Sequence, residues 1–327
     1  MNTSTNQPLL YIISGLLLFI FALDRFKINL NKLFATKLQT IITKFVNTKF
    51  KSFLFGFITS AIIQSSSGTT AIAISLLSSN YIKPNECLGI IIGANLGTCL
   101  TTFIVAINVD NLYMFILIIG ILLYFILKKH NKYLILIIYI GLMLLGLNVL
   151  NIGFNNIINN KIIYTIIGNI KSSNFLSVLF GVFSTAVIQS SSGIISIVEE
   201  MYYTKIINIY SSISIMLGAN IGTTFTGYLS TINTNNNTKK IININVLFNT
   251  LGVLLFLLIY NFFINHIIFI ENKFFLSNIK FTIAYAHFIF NFISVVLGYI
   301  FFNFFCTFLN NKKYYIDKKI KNDIIHT

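Results

Sequence analysis

Charged residues are scarce in this sequence. Only 9% of its 327 residues are Asp, Glu, Lys or Arg, while 56% are hydrophobic. Soluble domains carry about 25% charged residues. A chain with so few charges cannot present a charged surface to water, which excludes a soluble globular domain and predicts a protein embedded in a bilayer.

Several motifs of soluble enzymes are also missing. The three cysteines (Cys87, Cys99 and Cys306) form no CxxC pair, so we interpret them as small packing residues. A GxxxxGK[ST] loop does not occur, which gives no support to ATP-driven pumping.

The net charge of +15 would suggest nucleic acid in a soluble protein, but here the basic residues lie between apolar segments, where they more simply set membrane topology.

The sequence does contain one long motif twice. Residues Gly56 to Phe103 align without a gap with Gly181 to Tyr228 at an offset of 125 residues. Each copy is an apolar run interrupted by Gln-Ser-Ser-Ser-Gly, followed by a second apolar run with Gly-Ala-Asn-x-Gly-Thr. A matched pair of interrupted apolar segments in the two halves of a membrane chain indicates a transporter binding site.

The apolar runs predict an all-α integral membrane protein with one transport domain. Repeat 1 covers about 8–127, repeat 2 about 133–265, and an extra helix about 281–309, so that the domain spans 1–309 and a basic tail covers 310–327. Residues 28–50, with a Lys every few positions, fit an amphipathic helix at the membrane surface. The predicted membrane segments are 8–23, 53–79 (broken), 86–107, 111–127, 133–150, 175–204 (broken), 206–230, 241–265 and 281–309.

Basic residues favour one topology. If both broken segments are re-entrant hairpins, 18 of the 23 lysines and arginines face the cytoplasm, together with the C-terminus. If both broken segments instead cross the membrane fully, 16 of the 23 lysines and arginines face the cytoplasm. The hairpin arrangement also makes the two halves an inverted repeat, with hairpins opening from opposite faces of a cell membrane.

A helix broken at Gln-Ser-Ser-Ser-Gly has the groups to bind ions. Backbone N–H groups at a half-helix N-terminus attract an anion. Carbonyl and hydroxyl oxygens suit a hard cation such as Na⁺. No Arg or Lys lies in the core of a predicted membrane segment. We therefore expect a bound anion to depend on helix dipoles, hydroxyls and co-bound cations, which favours coupling to Na⁺.

The doubled QSSSG and GANxGT resemble the type II sodium/phosphate cotransporter family, including its bacterial members. The resemblance covers about residues 9–309 and extends to the Gly-Leu-rich segments at Gly15 and Gly141 and to an AHxxFN segment at 286–291. It implies Na⁺-coupled symport of inorganic phosphate by alternating access. No cofactor is implied beyond Na⁺ as the coupling ion. The expected partners are phosphate, Na⁺ and lipid, with no nucleic acid, and a homodimer is one alternative for the assembly.

The resemblance assigns the site residues by position. The expected residues for phosphate and Na⁺ are Gln64, Ser65, Ser66, Ser67, Gly68, Thr69, Asn95 and Thr98 in the first copy, and Gln189, Ser190, Ser191, Ser192, Gly193, Asn220 and Thr223 in the second. Auxiliary candidates are Asn249, His287, Asn291 and Glu199.

The sequence departs from the family pattern at three places. Asn245 stands where the earlier AHxxFN copy usually has His. Thr69 and Thr70 of the first copy correspond to Ile194 and Ile195, which suggests that the first copy bears more of the Na⁺ coordination. The PhoU-like domain that follows the membrane part in some bacterial relatives is not expected here.

Three alternatives remain at this point. The acidic pair Glu199 and Glu200 follows the second break, so coupling to H⁺ instead of Na⁺ is one of them. The same architecture could carry another small oxyanion. An intramembrane serine hydrolase is the most distant alternative, because both copies lack GxSxG and a suitably placed base.

Overall fold

The computed structural model describes residues 3–107, 112–127, 132–156, 161–229 and 236–309, and this part of the chain is helical with no β-strand. The predicted basic tail 310–327 lies outside the described residues. The helices are α1 (Thr3–Phe45), α2 (Lys49–Ile63), α3 (Ser66–Ser78), α4 (Pro84–Gly97), α5 (Cys99–Ala106), α6 (Leu112–Ile126), α7 (Lys132–Asn156), α8 (Lys161–Ser172), α9 (Asn174–Ile188), α10 (Ser191–Tyr203), α11 (Ile209–Leu229), α12 (Asn236–Leu258), α13 (Tyr260–Ile270), α14 (Lys280–Ile300) and α15 (Phe302–Leu309).

Five of the described helical stretches are long and apolar enough to cross a membrane. They are Gln7–Ala35, Pro84–Ala106, Tyr133–Asn156, Thr238–Leu258 and Lys280–Ile300. Two shorter apolar helices, Tyr113–Ile126 and Asn174–Ile188, accompany them. Because a helix needs about 20 apolar residues to span the hydrocarbon core, this set fits a multi-pass membrane protein.

The first helix differs from the prediction. A membrane segment 8–23 and a separate surface helix 28–50 were expected, but α1 runs without a break from Thr3 to Phe45. Its apolar stretch extends to Ala35 and includes Lys27. The lysines after residue 23 had suggested that the chain leaves the membrane there and starts a new helix. The backbone hydrogen bonds of α1 continue through these lysines without a break, so both predicted segments belong to one helix.

The repeat is visible in the backbone dihedral angles. Among the described residues, four that are not glycine have positive φ: Gln64, Asn80, Gln189 and Lys205, all between 58° and 60°. Gln64 and Gln189 are the C-cap residues of α2 and α9, and Asn80 and Lys205 lie in the turns that follow α3 and α10. Both pairs are separated by the offset of the sequence repeat, so the two copies use the same local geometry at both turning points.

Close helix packing explains the glycines of GANxGT. A Cβ atom on Gly93 in α4 would lie 2.1 Å from the carbonyl oxygen of Phe53 in α2. A Cβ atom on Gly218 in α11 would lie 2.0 Å from the carbonyl oxygen of Val178 in α9. Only glycine permits this approach, so each glycine holds one helix directly against the half-helix that leads into a break.

Other element boundaries also differ from the prediction. Helix α8 was not predicted, and an apolar run expected over 241–265 is divided at Ile259 into α12 and α13. The expected final helix 281–309 is divided at Phe301. The two predicted interruptions at Gln-Ser-Ser-Ser-Gly are present, because α2 ends at Ile63 and α9 ends at Ile188.

Candidate functional site between the two helix breaks

The first break is formed by Gln64 and Ser65. Gln64 is buried, takes the left-handed conformation, and accepts a hydrogen bond on its Oε1 from the Thr101 hydroxyl at 2.6 Å. Ser65 then caps α3, since its Oγ accepts a hydrogen bond from the Gly68 N–H at 3.0 Å. A residue other than glycine is costly in the left-handed region, so the Gln64 side chain has a local role that favours its presence.

The second break repeats this arrangement. Gln189 ends α9 in the left-handed conformation, and its N–H donates to the Thr185 carbonyl at 2.7 Å. Ser190 caps α10 by accepting from the Gly193 N–H at 3.1 Å. The two breaks therefore end in two helix N-termini whose first turns carry small residues and hydroxyls.

One cavity of about 270 Å³ lies between the two breaks. It brings together Ser65 and Gly68 from the first copy and Gln189 and Ser190 from the second. These are four of the residues predicted for the site, separated by more than 120 positions in the sequence. The remaining lining residues are Ile20, Leu23, Asp24, Lys27, Ile28, Asn31, Ile63 and Ile188.

The cavity also contains a pair of charges from α1 that the sequence argument missed. Lys27 lines it, and its Nζ donates to Ser190 Oγ at 2.7 Å and to Ser192 Oγ at 3.2 Å. Asp24, the residue that follows the predicted membrane segment 8–23, lines it one turn earlier. The expectation of a site without Lys or Arg in a membrane segment is therefore wrong, because the predicted segment ended at residue 23 and α1 does not.

A spacing in the sequence could have revealed this face of α1. Ile20, Asp24, Lys27 and Asn31 follow one another at intervals of three and four residues, and Ile28 lies four residues after Asp24, which places all five on one side of a helix. Asp24 and Lys27 lie on the same face of the helix as the apolar residues before and after them, and this pattern indicates that the face lines a polar cavity.

The asparagines and threonines of GANxGT are mainly engaged in hydrogen bonds with their own helices. Thr98 donates to the Asn95 carbonyl at 2.7 Å, and Thr223 donates to the Ala219 carbonyl at 3.0 Å. Asn220 donates to the Met216 carbonyl at 2.8 Å. These residues are absent from the cavity lining, so any contact with a bound ion stays a prediction.

The residues of the two AHxxFN-like segments are buried behind the first copy. Asn95 donates to Asn249 Oδ1 at 3.4 Å, and Asn249 donates to Asn245 Oδ1 at 3.2 Å. In the other segment, His287 Nδ1 lies 3.4 Å from the Thr102 hydroxyl, and Asn291 donates to the His287 carbonyl at 3.1 Å. Both segments therefore support helices α4 and α5, which pack beside the first break.

The acidic pair of α10 is fully enclosed. Glu200 forms an ion pair with Lys280 of α14, with Glu200 Oε2 at 2.7 Å from Nζ. Glu199 is 0% exposed, and neither of its carboxylate oxygens has a hydrogen-bond partner in the described part of the chain. A carboxyl group in that position is a functional candidate, since a polar group without a partner is costly to bury.

Comparison with known proteins agrees with this architecture. The family model described as Na⁺/Pi-cotransporter matches residues 18–152 and again residues 142–270. The chain belongs to the Na⁺/Pi-cotransporter family. Each of the two matches contains one of the two breaks, and membership in this family indicates a transporter.

Two relatives of this chain differ in the share of their own length that the match covers. "Uncharacterized protein YqeW" of Bacillus subtilis is 28% identical over 249 residues, which is 74% of this chain and 79% of that protein. "Putative inorganic phosphate export protein YjbB" of Escherichia coli is 23% identical over 252 residues, or 76% of this chain. The aligned part is only 46% of YjbB. No solved structure matches the chain.

Proposed function

We propose that this chain moves inorganic phosphate across a cell membrane, coupled to Na⁺, with both ions bound in the cavity between the two breaks. The observation that carries the proposal is that one cavity is lined by the N-cap residues of the two half-helices that follow the breaks, Ser65 and Ser190. The N-terminus of a helix carries about half a positive charge. Two such termini at one cavity, together with Lys27, favour an anion there.

The donors at the cavity suit a tetrahedral oxyanion. Serine hydroxyls and the Gln189 amide donate hydrogen bonds, and ammonium groups bind phosphate as point charges. Phosphate in particular is supported by the family of the chain and by the name of YjbB. Another small oxyanion would use the same donors, so competition between anions has to be part of the test.

Oxygen atoms in the same cavity support a bound Na⁺. Asp24 contributes a carboxylate, and Asn31 Oδ1 is a buried oxygen without a hydrogen-bond partner among the described residues. Oxygen ligands are those that hard cations prefer. An Na⁺ beside the anion lowers the cost of desolvating both ions, which is the physical basis of their coupling.

Alternating access follows if the breaks are tips of re-entrant hairpins that open from opposite faces. The matched left-handed residues at both breaks support an internal repeat, and the basic residues support a cytoplasmic C-terminus. Movement of one repeat against the other would then expose the cavity first to one side and then to the other. The single cavity of one chain is sufficient for this, whether or not a homodimer forms.

The direct test uses purified protein in liposomes. The name of YjbB implies export, whereas the family description gives no direction. Counterflow of radiolabelled phosphate into phosphate-loaded vesicles is therefore the suitable assay, because it does not depend on the direction of net transport. We expect saturable exchange that requires Na⁺ and is not supported by K⁺, and sulfate is added as a competitor because it would use the same donors. Exchange that is absent in Na⁺, or equal in K⁺, would contradict the proposal.

Coupling to H⁺ is the second candidate, and the burial of Glu199 favours it. A carboxyl group that is enclosed and without a hydrogen-bond partner is more stable neutral than charged, so it could carry a proton between the two conformations. Under this mechanism Glu199→Gln abolishes net transport driven by a pH gradient but leaves exchange intact. Under Na⁺ coupling the same variant retains transport driven by an Na⁺ gradient.

A further inference from the structure

The contact between Lys27 and the second break distinguishes the two copies of the site. Lys27 Nζ donates to both Ser190 Oγ and Ser192 Oγ, at 2.7 and 3.2 Å. Leu23, one turn earlier on α1, packs against Gly193 so closely that a Cβ atom there would lie 2.9 Å from Leu23 Cδ2. The ammonium is therefore held at the break by helix packing as well as by hydrogen bonds.

This contact fills the acceptor capacity of Ser190. A serine hydroxyl has two acceptor lone pairs and one donor. One lone pair of Ser190 Oγ accepts from the Gly193 N–H at 3.1 Å, and the other accepts from Lys27. The oxygen has no lone pair left for a metal ion, and its hydrogen can point toward the Ser192 hydroxyl at 3.5 Å or toward a bound anion.

The first break differs at the corresponding serine. Ser65 Oγ accepts from the Gly68 N–H at 3.0 Å, and no ammonium contacts it within the described ranges. The Gly-Leu-rich segments align Gly15 with Gly141, an offset of 126 that differs by one from the offset of the broken segments, and at this offset Lys27 corresponds to Gly153 of α7. A side chain at Gly153 would collide with α1, because its Cβ would lie 2.7 Å from Ile12 Cγ1. The second half therefore has no room for an equivalent lysine.

Oxygen ligands are distributed with the same asymmetry. After the first break come two hydroxyls, Thr69 and Thr70, but after the second come Ile194 and Ile195. Asp24, which lies one turn before Lys27 on α1, lines the same cavity. The second copy, which has fewer hydroxyl oxygens after its break, is thus the copy whose serines contact the Lys27 ammonium.

We propose that the Lys27 ammonium is a built-in cation at the second break, in the place where a coupling Na⁺ would otherwise bind. This inference rests on the proposed function for its use of Na⁺. Its consequence is that the wild-type protein binds one Na⁺ fewer than a matched protein without Lys27, and that phosphate binding depends partly on a charge that never leaves the site.

Binding of radioactive ²²Na⁺ to purified protein tests this consequence. The variants are Lys27→Met, which removes the charge at similar length, and Lys27→Arg, which keeps it. Lys32→Met is the matched control, since it removes an exposed lysine from the same helix. We expect Lys27→Met to bind one more Na⁺ per chain than the wild type, and Lys27→Arg and Lys32→Met to bind the same number as the wild type.

Phosphate binding gives the second readout. Hydrogen-bonded charges typically contribute enough that their loss weakens binding about tenfold to a hundredfold. Lys27→Met should therefore weaken phosphate binding by that factor at low Na⁺, and raising Na⁺ should restore it. A structural role of Lys27 would weaken binding equally at all Na⁺ concentrations.

The outcomes separate the two proposals. An equal number of Na⁺ bound by the wild type and Lys27→Met would overturn the built-in cation. If Lys27→Met does not fold, Lys27→Gln, which can still donate to the serines, carries the same expectation. A difference of one Na⁺ without phosphate binding in any protein would instead leave the built-in cation standing and overturn the proposed function.

Discussion

Gln64 and Gln189 have the same backbone conformation, with φ at 58° in both and ψ at 31° and 28°. Both residues end a half-helix immediately before a capping serine, and both occupy a region that glycine adopts freely and other residues adopt at a cost of about 1 kcal/mol. The glutamines differ from the other left-handed pair, Asn80 and Lys205, in lying at the breaks, where Gln64 accepts a hydrogen bond from Thr101 and Gln189 lines the cavity.

Replacing each glutamine by glycine removes the side chain but still allows the left-handed backbone conformation, so it tests the side chain alone. We expect Gln64→Gly and Gln189→Gly to abolish phosphate exchange while changing the melting temperature little. In Gln64→Gly, loss of the hydrogen bond from Thr101 costs about 1 kcal/mol and relief of the left-handed strain offsets it. The measurements are exchange in liposomes and thermal unfolding in detergent.

The matched controls for this prediction are Asn80→Gly and Lys205→Gly. These residues have the same backbone conformation but lie in exposed turns away from the cavity. Their variants should keep full exchange. Exchange that survives in Gln64→Gly and Gln189→Gly would remove both glutamines from the site.

The close crossings at the GANxGT glycines predict sensitivity to a single methyl group. Gly218→Ala places a Cβ about 2 Å from the Val178 carbonyl oxygen, so the helices must separate. Overpacking of this kind costs about 1–3 kcal/mol. We expect a clear fall in thermal stability measured in detergent.

Gly168→Ala is the control for the added methyl group. A Cβ at Gly168 of α8 meets nothing within 4 Å, and alanine favours a helix by up to about 1 kcal/mol over glycine. This variant should be as stable as the wild type or more stable. Equal losses in Gly168→Ala and Gly218→Ala would contradict the packing explanation.

The ion pair between Glu200 and Lys280 predicts a non-additive pair of substitutions. Lys280→Met leaves the Glu200 carboxylate buried without its cation, and breaking a buried pair costs about 3–5 kcal/mol. Adding Glu200→Gln removes the isolated charge, so the double variant should be more stable than Lys280→Met alone. Thermal unfolding of the two single variants and the double variant measures this coupling.

Lys273→Met provides the comparison for the loss of a lysine. Lys273 is exposed and lies over the rings of Phe269 and Phe274. Its loss should cost no more than about 1 kcal/mol. If Lys280→Met is no more damaging than Lys273→Met, the buried pair does not stabilise the fold.

The sequence was sufficient to predict the helical class, the two breaks and the repeat. Each of these depends on local chemistry: apolar length for the helices, and Gln-Ser-Ser-Ser-Gly for the breaks. Local patterns also identified Ser65 and Ser190, which the fold brings to one cavity although they are 125 positions apart.

The sequence was not sufficient for features that depend on how α1 packs. Lys27 falls between the predicted membrane segment 8–23 and the predicted surface helix 28–50, because nothing within a few residues shows that α1 continues alongside the second break. The burial of Glu199 was hidden for the same reason, since it depends on α14 covering α10. Contacts between distant helices determine both.

The central claim is that phosphate occupies the cavity between the two breaks. Ile28 lines that cavity without offering a polar group, so Ile28→Cys can report on occupancy without removing a binding residue. Asn80→Cys, in an exposed turn, is the reference position, and the three native cysteines are buried.

The decisive measurement is the rate at which a water-soluble thiol reagent modifies Ile28→Cys in Na⁺ medium, with and without phosphate. Our account predicts that phosphate slows modification of Ile28→Cys and leaves Asn80→Cys unaffected. Modification of Ile28→Cys at the same rate with and without saturating phosphate would contradict it.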